Sequence, residues 1–241
     1  MAAMTRVRLA ASGFLVLVAL ALLVSLGTWQ MHRLAWKEGL IADIEARRHQ
    51  PPASVEDIDA LARTGGDVDY RAMTVSGTYL NDKERRFLAT YDGDAGFYIY
   101  TPLQLADGHI LFVNRGFVPE QKKEPSTRMG GQLLGLQRVT GLARAKLAEK
   151  PSRLVPDNDI AKNVFYWKDL DAMAASTGID AAKVLPFFLD AGPSPVPGGL
   201  PIGGVTMIDL PNSHLQYALT WYGLALALAV IAVISVFRKK T

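Results

Sequence analysis

The sequence predicts a membrane protein with two transmembrane α-helices flanking a mostly β (α+β) extramembrane domain. Three observations carry that prediction. Leu9 to Met31 contains no charged residue, and neither does Pro211 to Phe237. Between these runs, apolar residues fall mostly in short stretches rich in β-branched and aromatic side chains, the signature of strands.

The charge pattern agrees. All 23 acidic residues of the 241-residue chain lie between Trp29 and Asp209, together with 21 of the 26 basic ones. The formal net charge of +3 therefore comes from the ends: Arg6 and Arg8 before the first run, Arg238, Lys239 and Lys240 after the second. Positive charge confined to membrane flanks argues against a nucleic-acid-binding domain and for a bilayer as partner. The chain has no cysteine, which removes disulfides, thiolate metal sites and CxxC redox chemistry.

The first membrane helix is placed at residues 9–29. Its apolar heart, Leu9 to Leu26, spans about 27 Å as a helix, longer than a signal-peptide core, and no clean cleavage site follows. The helix is expected to continue into WQMHRLAWKEGLIADIEARR, where Trp29, Leu34, Trp36, Leu40, Ile41 and Ile44 read as one apolar stripe, until Pro51-Pro52 stops it. Residues 53–69 read as a short helix and a loop.

From Tyr70 the pattern turns to strands: YRAMTVSGTYL, RRFLATY, GFYIYTPLQL and HILFVNRGFVP. Asp107-Gly108 is the expected two-residue hairpin signal. Lys122 to Leu133 is a loop and LQRVTGLARA a strand. DAMAASTG is a short helix ended by Gly178, and VLPFFLDAG is the last strand. The Pro/Gly-rich stretch 192–204 lacks the GK[ST] of a phosphate loop and reads as an extended linker to the second membrane helix, residues 211–237.

The flanking charges place residues 1–8 and 238–241 in the cytoplasm and residues 30–210 outside. With only eight residues before the first helix, no transit peptide is visible. The expectation is a multi-pass protein of a bacterial inner (plasma) membrane with a periplasmic main domain.

Candidate chemistry is sparse. His49 and His109 read as surface residues, and HExxH and GxSxG are absent. Arg115-Gly116 reads either as an anion contact or as a strand-end arginine beside a glycine bulge. His214 differs from the other histidines. It falls in the first turn of the second membrane helix, about one turn outside the hydrocarbon, where the helix dipole disfavours imidazolium. Tyr217, Ala218 and Trp221 share its face at helical spacing. One neutral imidazole beside Tyr217 and Trp221 could hold a flat porphyrin by axial ligation and stacking. It could equally be an interfacial histidine marking the bilayer edge within an aromatic belt. Gly223-xxx-Ala227 and Ala225-xxx-Ala229 are small-residue spacings that suit close helix contact.

Four segments, in order, resemble the surfeit-locus protein one family of cytochrome c oxidase assembly factors: LGTWQxxRxxWKxxLI (Leu26 to Ile41), YRxxxVxGxY (Tyr70 to Tyr79), GFYIYTPLQLADGHILFVNRGFVP, and NSHLQYALTWYGLA. The resemblance implies a non-enzymatic role in assembling heme-copper oxidase, by binding heme a transiently and assisting its insertion into the catalytic subunit. It implies His214 as the axial ligand of the heme iron, with Tyr217 and Trp221 flanking the ring. It also implies the cytochrome c oxidase catalytic subunit, and heme a synthase, as partners. Gly27, Trp29, Gln30 and Arg33 match the first motif, as packing or binding residues. The alternative is a structural membrane scaffold for oxidase subunits that binds no heme.

Overall fold

The computed structural model describes residues 2–206 and 210–238, without the side chains of residues 2–10 and 236. Asp209, Lys239 and Lys240 lie outside the described residues, and the side chains of Arg6 and Arg8 are likewise undescribed. The chain divides into two compact units, Met1–Asp43 with Ile208–Thr241, and Ile44–Met207.

The first unit is built from two long helices. Helix α1, Ala2–Arg48, is one uninterrupted helix of 47 residues that carries the apolar run and the following amphipathic segment, as expected. Helix α4, His214–Arg238, contains the second run. Both contain spans long and apolar enough to cross a membrane. Most of their sheltered positions alternate in fours and threes: Val16, Leu20, Leu23, Gly27, Gln30, Leu34 and Lys37 on α1, and His214, Ala218, Trp221, Ala225, Leu228 and Ala232 on α4, with Ala19, Leu26 and Ala229 sheltered next to them. That spacing keeps one seam of each helix facing the other.

The helices run antiparallel, since Thr28 meets Tyr222, Gln30 meets His214 and Lys37 meets the Pro211 carbonyl. In lipid no hydrophobic force drives such contact, so small residues must let the backbones approach. Gly27 does so: a Cβ there would sit 2.6 Å from the Tyr222 ring. Ala218 and Ala225 are both buried in the seam, whereas Gly223 and Ala227 are exposed. Of the two small-residue spacings, only the one beginning at Ala225 therefore serves the helix pair.

The apolar stripe expected beyond the membrane is two stripes. Leu34, Ile41 and Ile44 are sheltered, while Trp29, Trp36 and Leu40 are exposed on another face, with the Arg33 guanidinium 3.9 Å over the Trp36 ring. Amphipathic character alone does not separate a face turned to protein from one bearing interfacial aromatics.

The second unit is mostly β. Seven strands, β1 Ala72–Tyr79, β2 Arg85–Tyr91, β3 Asp94–Gln104, β4 Ile110–Pro119, β5 Leu136–Ala145, β6 Val164–Phe165 and β7 Val184–Ala191, form one sheet in the order β1-β5-β7-β4-β3-β2-β6. Strand β1 also pairs with β3 through Thr78↔Gln104 and Tyr79↔Leu103, so β1-β5-β7-β4-β3 closes into a small barrel. Alternation sorts the side chains. Met73, Val75, Leu103, Leu111, Val113, Phe187 and Leu189 fill the interior with Ile58 from α2, Val55–Arg63. Tyr100, Phe112 and Phe188 point outward, where α3, Leu170–Thr177, covers them with Leu170 and Met173. Asp169 caps the start of α3, and Gly178, at φ 70°, ends it as expected.

Two local expectations are corrected. The two-residue hairpin turn lies at Asp92-Gly93, where both residues have positive φ (51° and 86°) and Tyr91 pairs with Asp94. At Asp107-Gly108 the loop is longer. Leu105 pairs with His109, and Gly108 alone turns left-handed at φ 87°. The Pro/Gly-rich stretch 192–204 is not a free linker. Ile202 pairs in both directions with Phe117 at 2.9 Å, Gly192 N–H donates to the Thr140 carbonyl at 2.9 Å, and Gly204 N–H to that of Ala191 at 3.0 Å. Only glycine permits this approach at residue 116, where a Cβ would lie 1.9 Å from the Ile202 carbonyl oxygen.

Candidate functional site: an oriented imidazole between the membrane helices

His214 is the first residue of α4. Pro211 lies just ahead of the helix, and the Ser213 carbonyl accepts the first helical hydrogen bond, from Tyr217 N–H at 3.2 Å. The side chain is half-buried on the seam. Its Nδ1 lies 2.7 Å from Gln30 Oε1. An amide oxygen only accepts, so Nδ1 carries the proton and Nε2 keeps its lone pair. Gln30 is 9% exposed, so solvent does not compete well for this bond. The contact orients the ring and, with Oε1 as the acceptor, leaves Nε2 free of a protein partner.

The neighbours sharpen the expected face. Ala218 is fully buried and Trp221 half-buried on the same seam as His214, while Tyr217 is 53% exposed on the flank. Tyr217 therefore does not share the sheltered face expected from helical spacing, although it remains one turn from the imidazole. His32 is exposed, two residues and so about 200° around α1 from Gln30, and faces away from the seam. It cannot join His214 across this helix pair.

A heme iron would need one protein nitrogen from these residues, and His214 Nε2 is the one left free. Among the described residues no three His, Cys, Asp or Glu side chains gather into a metal cage. A single oriented imidazole is a sufficient protein ligand only where the rest of the coordination comes with the metal, as in heme. Further along α4, Tyr217 is exposed and Trp221 half-buried, three and seven residues on from His214. His49 and His109 are surface residues, as expected, bonded through Nδ1 to the Glu45 carbonyl and to the Asp107 carboxylate, both at 2.8 Å.

Gln30, expected only as a packing or binding residue of the first motif, is the partner of His214. The signal for it lies in the first helix: Gly27, Gln30, Leu34 and Lys37 keep a three-four spacing beyond the end of the apolar run. A polar residue at a seam position of a membrane helix needs a partner in the facing helix.

Fold and site together define a class, a membrane-anchored protein with a mostly β extramembrane domain and a single oriented imidazole in its membrane-helix pair. The chain belongs to the SURF1 family, whose profile matches residues 17–226. It is 38% identical to Surfeit locus protein 1 of Rattus norvegicus over 219 residues, 84% of this chain and 68% of that protein. It is equally identical, 38%, to a SURF1-like protein of Monosiga brevicollis over 83% of this chain and 78% of the relative. Surfeit locus protein 1 of Takifugu rubripes is 37% identical over 89% of this chain and 92% of its own length. Members of the family are known as cytochrome oxidase assembly factors rather than catalysts.

Proposed function

We propose that this protein assists assembly of a heme-copper (cytochrome c) oxidase by holding heme a on His214 and releasing it to the catalytic subunit. The observation that carries this reading is the Gln30–His214 hydrogen bond of 2.7 Å, which leaves Nε2 as the free ligating nitrogen. Heme a is cargo here, and no bond within it is made or broken. Binding must be strong enough to capture the heme and weak enough to release it. One protein ligand at the edge of the bilayer, with Tyr217 and Trp221 beside it, meets both requirements better than a closed two-ligand pocket. In this reading heme a synthase is the donor and the oxidase catalytic subunit the acceptor. The extramembrane domain is periplasmic, in a bacterial inner membrane, with both termini cytoplasmic.

A second reading has its own support. Gly223 and Ala227 are exposed on α4, a small-residue pair free to seat a partner helix, which suits a scaffold that gathers oxidase subunits without carrying heme. Cells carrying His214→Ala as their only copy separate the two. The carrier reading expects oxidase catalytic subunit with depleted heme a. Normal heme a content in that subunit would leave the scaffold reading standing and remove the carrier.

A further inference from the structure

The second unit holds a cationic cavity at one end of its barrel. The cavity, of about 310 Å³, lies where β1 ends, β5 begins and β7 gives way to the Pro/Gly-rich segment. Tyr79, Arg115, Gln137 and Arg138 line it, with Gly192 to Val196 and Gly203 as one wall. That wall is fixed by the pairing of Ile202 with Phe117 and of Gly192 with Thr140. Barrel mouths are common ligand sites, because the interior side chains run out there and leave a concave space.

Arg115 is what makes this mouth unusual. It sits at a β-bulge: Tyr98 pairs with Phe117 and Tyr100 with Asn114, so Arg115 and Gly116 oppose Ile99 alone. Gly116 takes the positive φ of 122° that the bulge needs. The guanidinium is thereby turned over the Tyr79 ring, 4.5 Å from its centroid. Arg115 is only 5% exposed, yet its hydrogen bonds go to neutral oxygens, the Gly131 carbonyl at 2.5 Å and Asn81 Oδ1 at 3.3 Å.

The buried carboxylate that acts on it is shared. Glu84 is buried too, but its carboxylate contacts Arg128, itself buried. One carboxylate thus serves two buried guanidiniums, and a guanidinium does not shed its proton. Arg138, on the same cavity, has no ion pair among the described residues. Two buried guanidiniums on one carboxylate leave a net positive charge, which is costly, and an anion brought into the cavity would offset that cost.

We propose that the barrel mouth is a binding site for a small carboxylate-bearing anion, held by Arg115 with Arg138 at its rim. The planar fork of Arg115 matches a carboxylate, and the Tyr79 ring and the proline-lined wall suit a short carbon skeleton behind it. The site stands apart from His214 in residues and in chemistry, so it does not depend on the heme reading.

Isothermal titration of the full-length, heme-free protein in detergent tests this, using citrate and inorganic phosphate as probes at constant ionic strength set with chloride. Saturable binding of citrate is expected, tighter than that of phosphate. Arg115→Gln should weaken it about tenfold or more, and Arg138→Gln about two- to fivefold. Thermal unfolding checks that each variant folds; if Arg115→Gln does not, Arg138→Gln decides. Absence of saturable binding, or citrate affinity unchanged in folded variants, overturns the proposal. Tighter binding of phosphate than citrate overturns its assignment to carboxylates.

Discussion

Replacing Gln30 by leucine is the most informative small change in the membrane unit. The substitution keeps size and helix propensity and removes one acceptor. In the native protein the Gln30 oxygen holds the His214 Nδ1–H at 2.7 Å in a site that is 9% exposed on the glutamine side. Losing a buried acceptor strands the N–H, at about 1–3 kcal/mol. The imidazole escapes that cost by turning, or by moving its proton to Nε2, and either response takes the lone pair away from the ligating position. Apparent metal affinity falls in proportion to the competent fraction. Outer-shell partners of metal-bound histidines are worth about 10–100-fold in affinity. Gln30→Leu should therefore weaken heme binding by that factor without abolishing it. The assay has two arms. Heme titration followed by absorbance reads the affinity. Nitrogen-15 NMR of histidine-labelled, heme-free protein reads the tautomer, and should find His214 protonated on Nδ1 in the wild type and mixed in Gln30→Leu. An unchanged tautomer together with unchanged affinity would refute the reasoning. A changed tautomer with no heme bound by either protein would instead remove the heme reading and leave the geometry intact.

Other perturbations follow from the packing. Gly27→Val drives a side chain into the Tyr222 ring, whose atoms already lie 2.6–2.9 Å from a Cβ at that position, and should cost about 1–3 kcal/mol of helix pairing, read as detergent-dependent thermal unfolding. Gly116→Ala meets the Ile202 backbone at 1.9 Å and must hold φ 122°; about 2–5 kcal/mol of stability in the extramembrane domain should be lost, measured by denaturant unfolding. Arg128→Met leaves Glu84 buried and unpaired and should cost about 3–5 kcal/mol, much of it recovered in the double variant with Glu84→Leu. Burial pushes the Glu84 carboxyl above its usual range despite the Arg128 contact, so the folded state binds its proton more tightly than the unfolded chain. Stability should therefore fall as pH rises from the ordinary glutamate range toward that raised value, and Glu84→Gln should flatten the slope.

Much of this architecture was legible in the sequence, because its signals are one-dimensional. Two charge-free runs mark the membrane helices. β-branched and aromatic runs mark the strands, and Gly178 marks the end of α3. What stayed hidden depends on who faces whom. Trp29 and Leu34 looked like one stripe, since both are apolar and helical, yet one is exposed and the other sheltered. The Asp107-Gly108 pair has the composition of a two-residue turn, but the register of β3 against β4 places a longer loop there. The Pro/Gly-rich stretch has the composition of a linker and is pinned by Gly116, a contact between residues 86 positions apart. At the site, His214 was found from its position at the head of a membrane helix, while Gln30 is 184 residues away and polar, and no local pattern joins them. Arg115 offered both of its readings in sequence. The bulge is present, and a buried guanidinium that shares the Glu84 carboxylate with Arg128 keeps the anion contact open as well.

The central claim is that His214 Nε2 ligates heme a, and one measurement bears on it most directly: the absorption spectrum of the full-length protein purified from cells that make heme a, beside His214→Ala prepared the same way. Ligation by His214 predicts a heme a spectrum in the wild type and its loss, in folded protein, in His214→Ala. An identical heme a spectrum from the two proteins would contradict it.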